Sequence, residues 1–180
     1  QAAMFALLAI YAPYVAHLDA AHATRWVGLL QSLFWLGAMA GAPWWGRRGE
    51  RVAPETLFVW AGGGAALALL AQAVVTDPAW LAPWRLLQGF CYSAFLPALL
   101  LAVAQDAGGA HRGAAIGAVS SLLVIGHVLG AMLGAVAGSL LPLPAAIGFM
   151  ALLHLGAAGL LRRHRCPART QKEALSWRRY

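Results

Sequence analysis

The chain has 180 residues, of which 61% are hydrophobic and 11% charged, with a formal net charge of +7. A soluble domain of this length carries about a quarter of its residues as charges, so this composition excludes an ordinary water-soluble globule. The pI of about 10.5 would suit nucleic acid, but the arginines sit mainly in short loops and the tail, where membrane proteins place positive charge. No nucleic-acid partner is expected.

About 20 mostly apolar residues cross a bilayer, and six stretches meet that requirement in chain order: 4–18, 26–45, 55–75, 80–104, 114–140 and 144–161. The first is short. A polar corner from His17 to Arg25 closes the first span, and Gly46 to Pro54, with Arg47, Arg48, Glu50 and Arg51, closes the second. Thr76-Asp77-Pro78 is a turn signal. Gln105 to Gly113 is polar and glycine-rich, and Leu141-Pro142-Leu143-Pro144 cannot continue a helix. The segment 164–180 reads as a basic tail, either a plain stop-transfer segment or one that meets anionic headgroups. The fold class is therefore an all-α membrane protein of six transmembrane helices.

Charge sets the orientation. Arg47, Arg48, Arg51, Arg112, Arg162, Arg163, Arg165, Arg169, Lys172, Arg178 and Arg179 fall on one side, and Arg25 on the other. Positive residues mark the cytoplasmic side, which places the C-terminus in the cytoplasm and predicts an integral protein of a bacterial inner membrane. Trp26, Trp44, Trp45, Trp80 and Trp84 lie near the expected interfaces. No metal-ligand spacing and no cofactor motif occur, and Cys91 and Cys166 are too isolated in sequence to suggest a disulfide. The absence of a basic n-region before the first apolar stretch argues against a signal peptide.

Inside the spans, Gly126, Gly130, Gly134 and Gly138 recur every four residues and line one face of the fifth span. Gly37 and Gly41 form a shorter pair in the second. Such faces let a neighbouring backbone approach closely, for plain packing or for a helix that rocks during transport.

Ionisable residues within a membrane are costly and mark function. Arg85 stands about a turn inside the fourth span, where it either snorkels outward or faces a cavity. Gln88, Tyr92 and Ser93 follow near the same face. Tyr11 and Tyr14 in the first span, and Gln31 and Trp35 in the second, form two further sets at helical spacing. His127 and His154 lie deep in spans, as proton carriers or as partners of a neighbouring backbone. No carboxylate falls in a membrane core.

Two segments carry a family resemblance. Ala42-Pro43-Trp44-Trp45-Gly46-Arg47-Arg48-Gly49-Glu50-Arg51-Val52 resembles the signature loop of the major facilitator superfamily, with Gly46, Glu50 and Arg51 at its glycine, acidic and arginine positions. Glu stands for the usual Asp and the later Gly-Arg pair is missing, which looks more like the copy in the second half of such transporters. Arg85-Leu86-Leu87-Gln88-Gly89-Phe90 resembles the R-x-x-Q-G motif of the fourth helix. The run from Gly126 to Gly134 is similar, more weakly, to the antiporter motif of the fifth, with Ala131 where proline is common.

The resemblance covers the whole chain and implies the C-terminal six-helix half of a secondary transporter of the drug and metabolite exporter branch. It implies efflux of an amphipathic organic compound by alternating access, with a missing N-terminal half or a second copy as partner, beside membrane lipid and a small-molecule substrate. It favours Tyr11, Tyr14, Gln88 and Tyr92 as pathway residues, since helices one and four of each half line the cavity, and it makes Glu50 and Arg51 a cytoplasmic latch. Two rival readings remain. One is a non-transporting membrane partner or truncated half. The other is an intramembrane serine protease built on Ser120 or Ser121 with His154, although Gly117-Ala118-Val119-Ser120 lacks the usual nucleophile spacing.

Overall fold

The computed structural model describes residues 2–106 and 112–163. The expected tail over 164–180, with Cys166, and the loop residues 107–111 lie outside the described residues. Among the described residues seven α-helices follow in order: α1 Ala2–Leu18, α2 Ala23–Gly49, α3 Pro54–Ala73, α4 Leu81–Tyr92, α5 Phe95–Asp106, α6 Arg112–Leu140 and α7 Leu143–Arg163, with a 3-10 turn at Pro78–Trp80 before α4. The segments Pro54–Ala73, Pro78–Val103, Gly113–Leu140 and Leu143–Arg163 are long and apolar enough to cross a membrane. The apolar α1 has 17 residues. The 27-residue α2 is long enough but more polar, and it ends in Arg47 and Arg48.

Local chemistry sets the boundaries. Asp19 closes the α1–α2 corner by accepting from the His22 N–H at 3.1 Å and the Trp26 indole at 3.1 Å. Pro54 occupies the first turn of α3, where its missing N–H costs nothing. Asp77 accepts from the Ala79 N–H at 2.9 Å, and Pro78 starts the next turn. The Pro142 carbonyl takes the first bond of α7, from Ala146.

The fourth apolar stretch, read as one span in the sequence, is divided at Ser93-Ala94. Pro97 is the cause: it has no N–H for the Ser93 carbonyl and its ring crowds that carbonyl. The Ala94 N–H then tightens onto Cys91 at 3.1 Å instead of reaching Phe90. The freed Phe90 carbonyl accepts from the Trp45 indole at 2.7 Å and the Ser93 hydroxyl at 2.8 Å. In a medium without water such freed groups must find a protein partner. Trp45 therefore serves the break and is 4% exposed, not an interface residue as its position suggested.

The main pairings are α2 with α4, α1 with α6 and α3 with α7, while α3 also packs on α4. One core cluster gathers Leu7, Ile10, Tyr14, Leu30, Leu69, Leu81, Ile147 and Met150. A smaller one at the break joins Trp45, Leu57, Ala61, Ala94 and Ala98. Glycine governs two of the pairings. A methyl on Gly37 would enter the Leu86 carbonyl and one on Gly89 the Phe34 carbonyl, so α2 and α4 meet backbone to backbone. Likewise Gly130 and Gly134 lie against the backbone of Ala2 and Ala6, and Gly138 against Ile10.

Candidate functional site

The α2–α4 contact places a cation at the centre of the bundle. Arg85 and Gln88 lie three residues apart on one face of α4. Arg85 is 1% exposed and Gln88 2%. The Arg85 Nη1 donates to Gln88 Oε1 at 2.8 Å, and Nη2 donates to Gln31 Oε1 on α2, also at 2.8 Å. The guanidinium carbon sits 3.9 Å from the centre of the Tyr11 ring on α1 and 5.2 Å from that of Phe34 on α2. Gln72 of α3 donates from Nε2 to the same Gln88 oxygen at 3.1 Å and to the Ala68 carbonyl. Helices α1, α2 and α4 thus meet at the guanidinium, and α3 joins the network through Gln88.

Enclosure rules out outward snorkelling for Arg85. Gly89 and Gly37 make this geometry possible, because the helices must approach closely for Gln31 to reach the guanidinium. The R-x-x-Q-G pattern thereby has a physical content: the arginine supplies the charge, the glutamine the acceptor and the glycine the approach. Among the described residues the one ion pair joins His22 and Asp19, so Arg85 has no described carboxylate partner. Amide oxygens and aromatic faces hold the charge instead. Tyr11 Oη, Gln72 Oε1 and Arg85 Nε are buried and lack hydrogen-bond partners. Unsatisfied groups at one site point to a ligand, a water or another functional demand.

The remaining candidates are placed separately. Tyr14 is fully buried, and its hydroxyl donates to the carbonyls of Gln72 and Val75, tying α1 to the end of α3. Trp35 is 56% exposed and meets Phe34 and Tyr92 edge-on, at 5.3 and 6.4 Å between ring centres. Ser93 bonds its own helix at the break. His127 lies on the other side of α1, stacked on Phe5 at 3.9 Å, away from the arginine cluster. Gln72 was missed by sequence reasoning, although a single amide in the apolar run of the third span was a signal.

At the end of the bundle, α2 continues past the expected loop boundary to Gly49. Gly46 therefore lies within the last helical turn and is exposed. Glu50 follows as C-cap, exposed and without an ion pair among the described residues. Arg51 sits in the turn with Trp44, Arg47 and Arg48 around a cleft of about 330 Å³. Among the described residues no group of three or more His, Cys, Asp or Glu gathers to hold a metal.

Residues 1–178 match the family described as Major Facilitator Superfamily. The chain belongs to that superfamily. A curated relative, the Staphyloferrin B transporter of Staphylococcus aureus (strain NCTC 8325 / PS 47), is 28% identical over 109 residues, taking in 61% of this chain. The match spans 26% of that relative's length. This superfamily chain is an integral membrane protein of a transport family and not an enzyme. The serine-protease rival fails on geometry as well. Ser120 and Ser121 bond back to Ile116 and Gly117 on their own helix, and His154 bonds the Met150 carbonyl.

Proposed function

We propose that this superfamily chain forms the C-terminal six-helix half of a secondary transporter that exports an amphipathic organic compound by alternating access. Arg85 carries the proposal. A cation held among three helices by amides and rings, with no described carboxylate, is a costly arrangement in a membrane. It repays that cost by attracting an anionic group on the cargo when the bundle opens. Tyr11, Gln31 and Gln88 position the guanidinium, while Trp35 and Tyr92 offer an aromatic wall beside it. The relative's name makes staphyloferrin B, or a metabolite of its kind, the first cargo to test. The substrate site lies where two halves meet, so an N-terminal half or a second copy completes it.

The transporter works as an antiporter. No described carboxylate is in a membrane core, so if protons drive it the coupling acid belongs to the other half. Glu50 and Arg51 act as a latch at the cytoplasmic end, closing in one conformation only, in a bacterial inner membrane with the C-terminus cytoplasmic. Efflux from cells carrying the full-length gene, loaded with an anionic or a cationic fluorescent organic compound, tests the reading. Export of the anion that collapses in the Arg85→Met variant, at equal membrane content, supports it. Equal export of both compounds by wild type and variant sinks it.

A further inference from the structure

Because α2 runs four residues beyond Trp45, Trp44, Arg47 and Arg48 stand at i, i+3 and i+4 and share one face, and Arg51 joins them from the turn after the helix. They line a cleft of about 330 Å³. The Arg48 guanidinium lies 5.1 Å from the Trp44 ring centre and 6.0 Å from that of Trp60 on α3. Both distances are within cation–π range, so the two indoles favour a guanidinium held at this place. Among the described residues none of the three arginines has a carboxylate partner.

Two simpler explanations fall short. Basic residues in a last helical turn complement the helix dipole, but a half-charge does not balance three cations. Topology-setting charge requires arginines on this side, yet not gathered around one cleft with an indole floor.

We propose that this cleft binds the phosphate of an anionic phospholipid. Indoles prefer the headgroup level of a bilayer, which puts the three guanidinium groups at phosphate depth. An apolar track leads away from the cleft. Trp60 and, seven residues on, Leu67 are 47% and 56% exposed on one face of α3. That track suits an acyl chain, which a free phosphate would not use. Arginine in a planar fork is the residue type that grips phosphate through two hydrogen bonds.

The test titrates the delipidated full-length protein with phosphatidylglycerol or phosphatidylcholine in mixed micelles, reading bound lipid by native mass spectrometry and stability by thermal melting. Phosphatidylglycerol is expected to be retained and to raise Tm, with phosphatidylcholine doing neither. The Arg47→Gln/Arg48→Gln/Arg51→Gln variant should lose about a hundredfold in retention, since each basic residue near an anionic headgroup contributes roughly fivefold. The single Arg51→Gln change, outside the helix, should lose roughly fivefold and guards against misfolding of the triple variant. An Arg162→Gln/Arg163→Gln variant should retain the lipid. Equal loss in that control would mean diffuse attraction and overturn the cleft. A full Tm rise with inorganic phosphate alone would overturn the lipid assignment in favour of a free-anion site.

Discussion

Helix α1 has two unlike neighbours. Towards α2, α3 and α4 it contributes Tyr11 and Tyr14 to a junction of named polar atoms. Towards α6 it offers Ala2, Ala6 and Ile10 to a row of glycines, and His127 stacked on Phe5. The polar junction is directional, because each bond has one geometry. The glycine seam is close contact between small residues and backbone, which is the kind of surface along which a helix can shift. Much of α6 is otherwise exposed and apolar, from Leu122 through Met132 to Leu140. One face of α1 is tied by polar contacts, and the opposite face is packed tightly through glycines.

The largest effect should come from forcing apart the pairing on which the polar junction depends. Gly89→Leu drives a side chain into the Phe34 carbonyl and backbone. Overpacking in a tight core costs about 1–3 kcal/mol, and here backbone must yield, so the variant should fail to accumulate in the membrane. Normal yield with an unchanged melting profile would mean that α2 and α4 do not meet as closely as described.

Arg85→Met separates function from stability. Removing the guanidinium removes the desolvation cost of a buried charge, which offsets the donor lost by Gln31 Oε1, while Gln88 Oε1 keeps the Gln72 donor. Transport should therefore fall by about a hundredfold, roughly 2.7 kcal/mol, while Tm stays level or rises. A large fall in Tm with transport intact would make the arginine a structural bolt rather than a ligand for cargo.

The seam is probed by a pair of identical changes. Gly134→Ala pushes a methyl into the backbone of Ala6 and should lower stability by about 1–2 kcal/mol. Gly148→Ala on α7 meets open space and should raise it by up to about 1 kcal/mol, the propensity gain of alanine over glycine. Thermal melting of both variants checks the sign. If both stabilise, the seam is looser than its glycines imply.

Legibility in the sequence followed the same division. Apolar length revealed an all-helical membrane chain, because lipid imposes that constraint on each stretch, but α2 runs to Gly49 past its expected end and the fourth stretch is divided. The R-x-x-Q-G run and the glycine rows were visible because their spacing is helical. Partnership across helices was not. Nothing near Gln72 in sequence says that it meets Gln88, and Trp45 looks like an interface indole until the Pro97 break exposes the Phe90 carbonyl that it serves. The break itself had a visible cause in Pro97, but its consequence depends on which carbonyl lacks a donor. Periodicity placed His127 deep in a span without indicating which side of α1 it would meet.

The smallest effect belongs to the corner that joins the two faces of this comparison, Asp19 between α1 and α2. Desolvation pushes its carboxyl up, but the hydrogen bonds from the His22 N–H, the Trp26 indole and the His22 ring, with the charge of that ring, outweigh it, so the group titrates below its usual 3.8. A depressed carboxylate contributes stability that is present above its unfolded value and lost as pH falls through the folded one. Hydrogen exchange at the amides of residues 19–26, corrected for intrinsic rates, should show wild type better protected than Asp19→Asn at about pH 6 and no better protected well below the ordinary carboxylate range. Protection that persists in wild type at that acidity would mean the corner is held by helix packing rather than by the carboxylate. The polar junction would then be the only directional tie on α1, and the two faces of that helix would differ even more sharply.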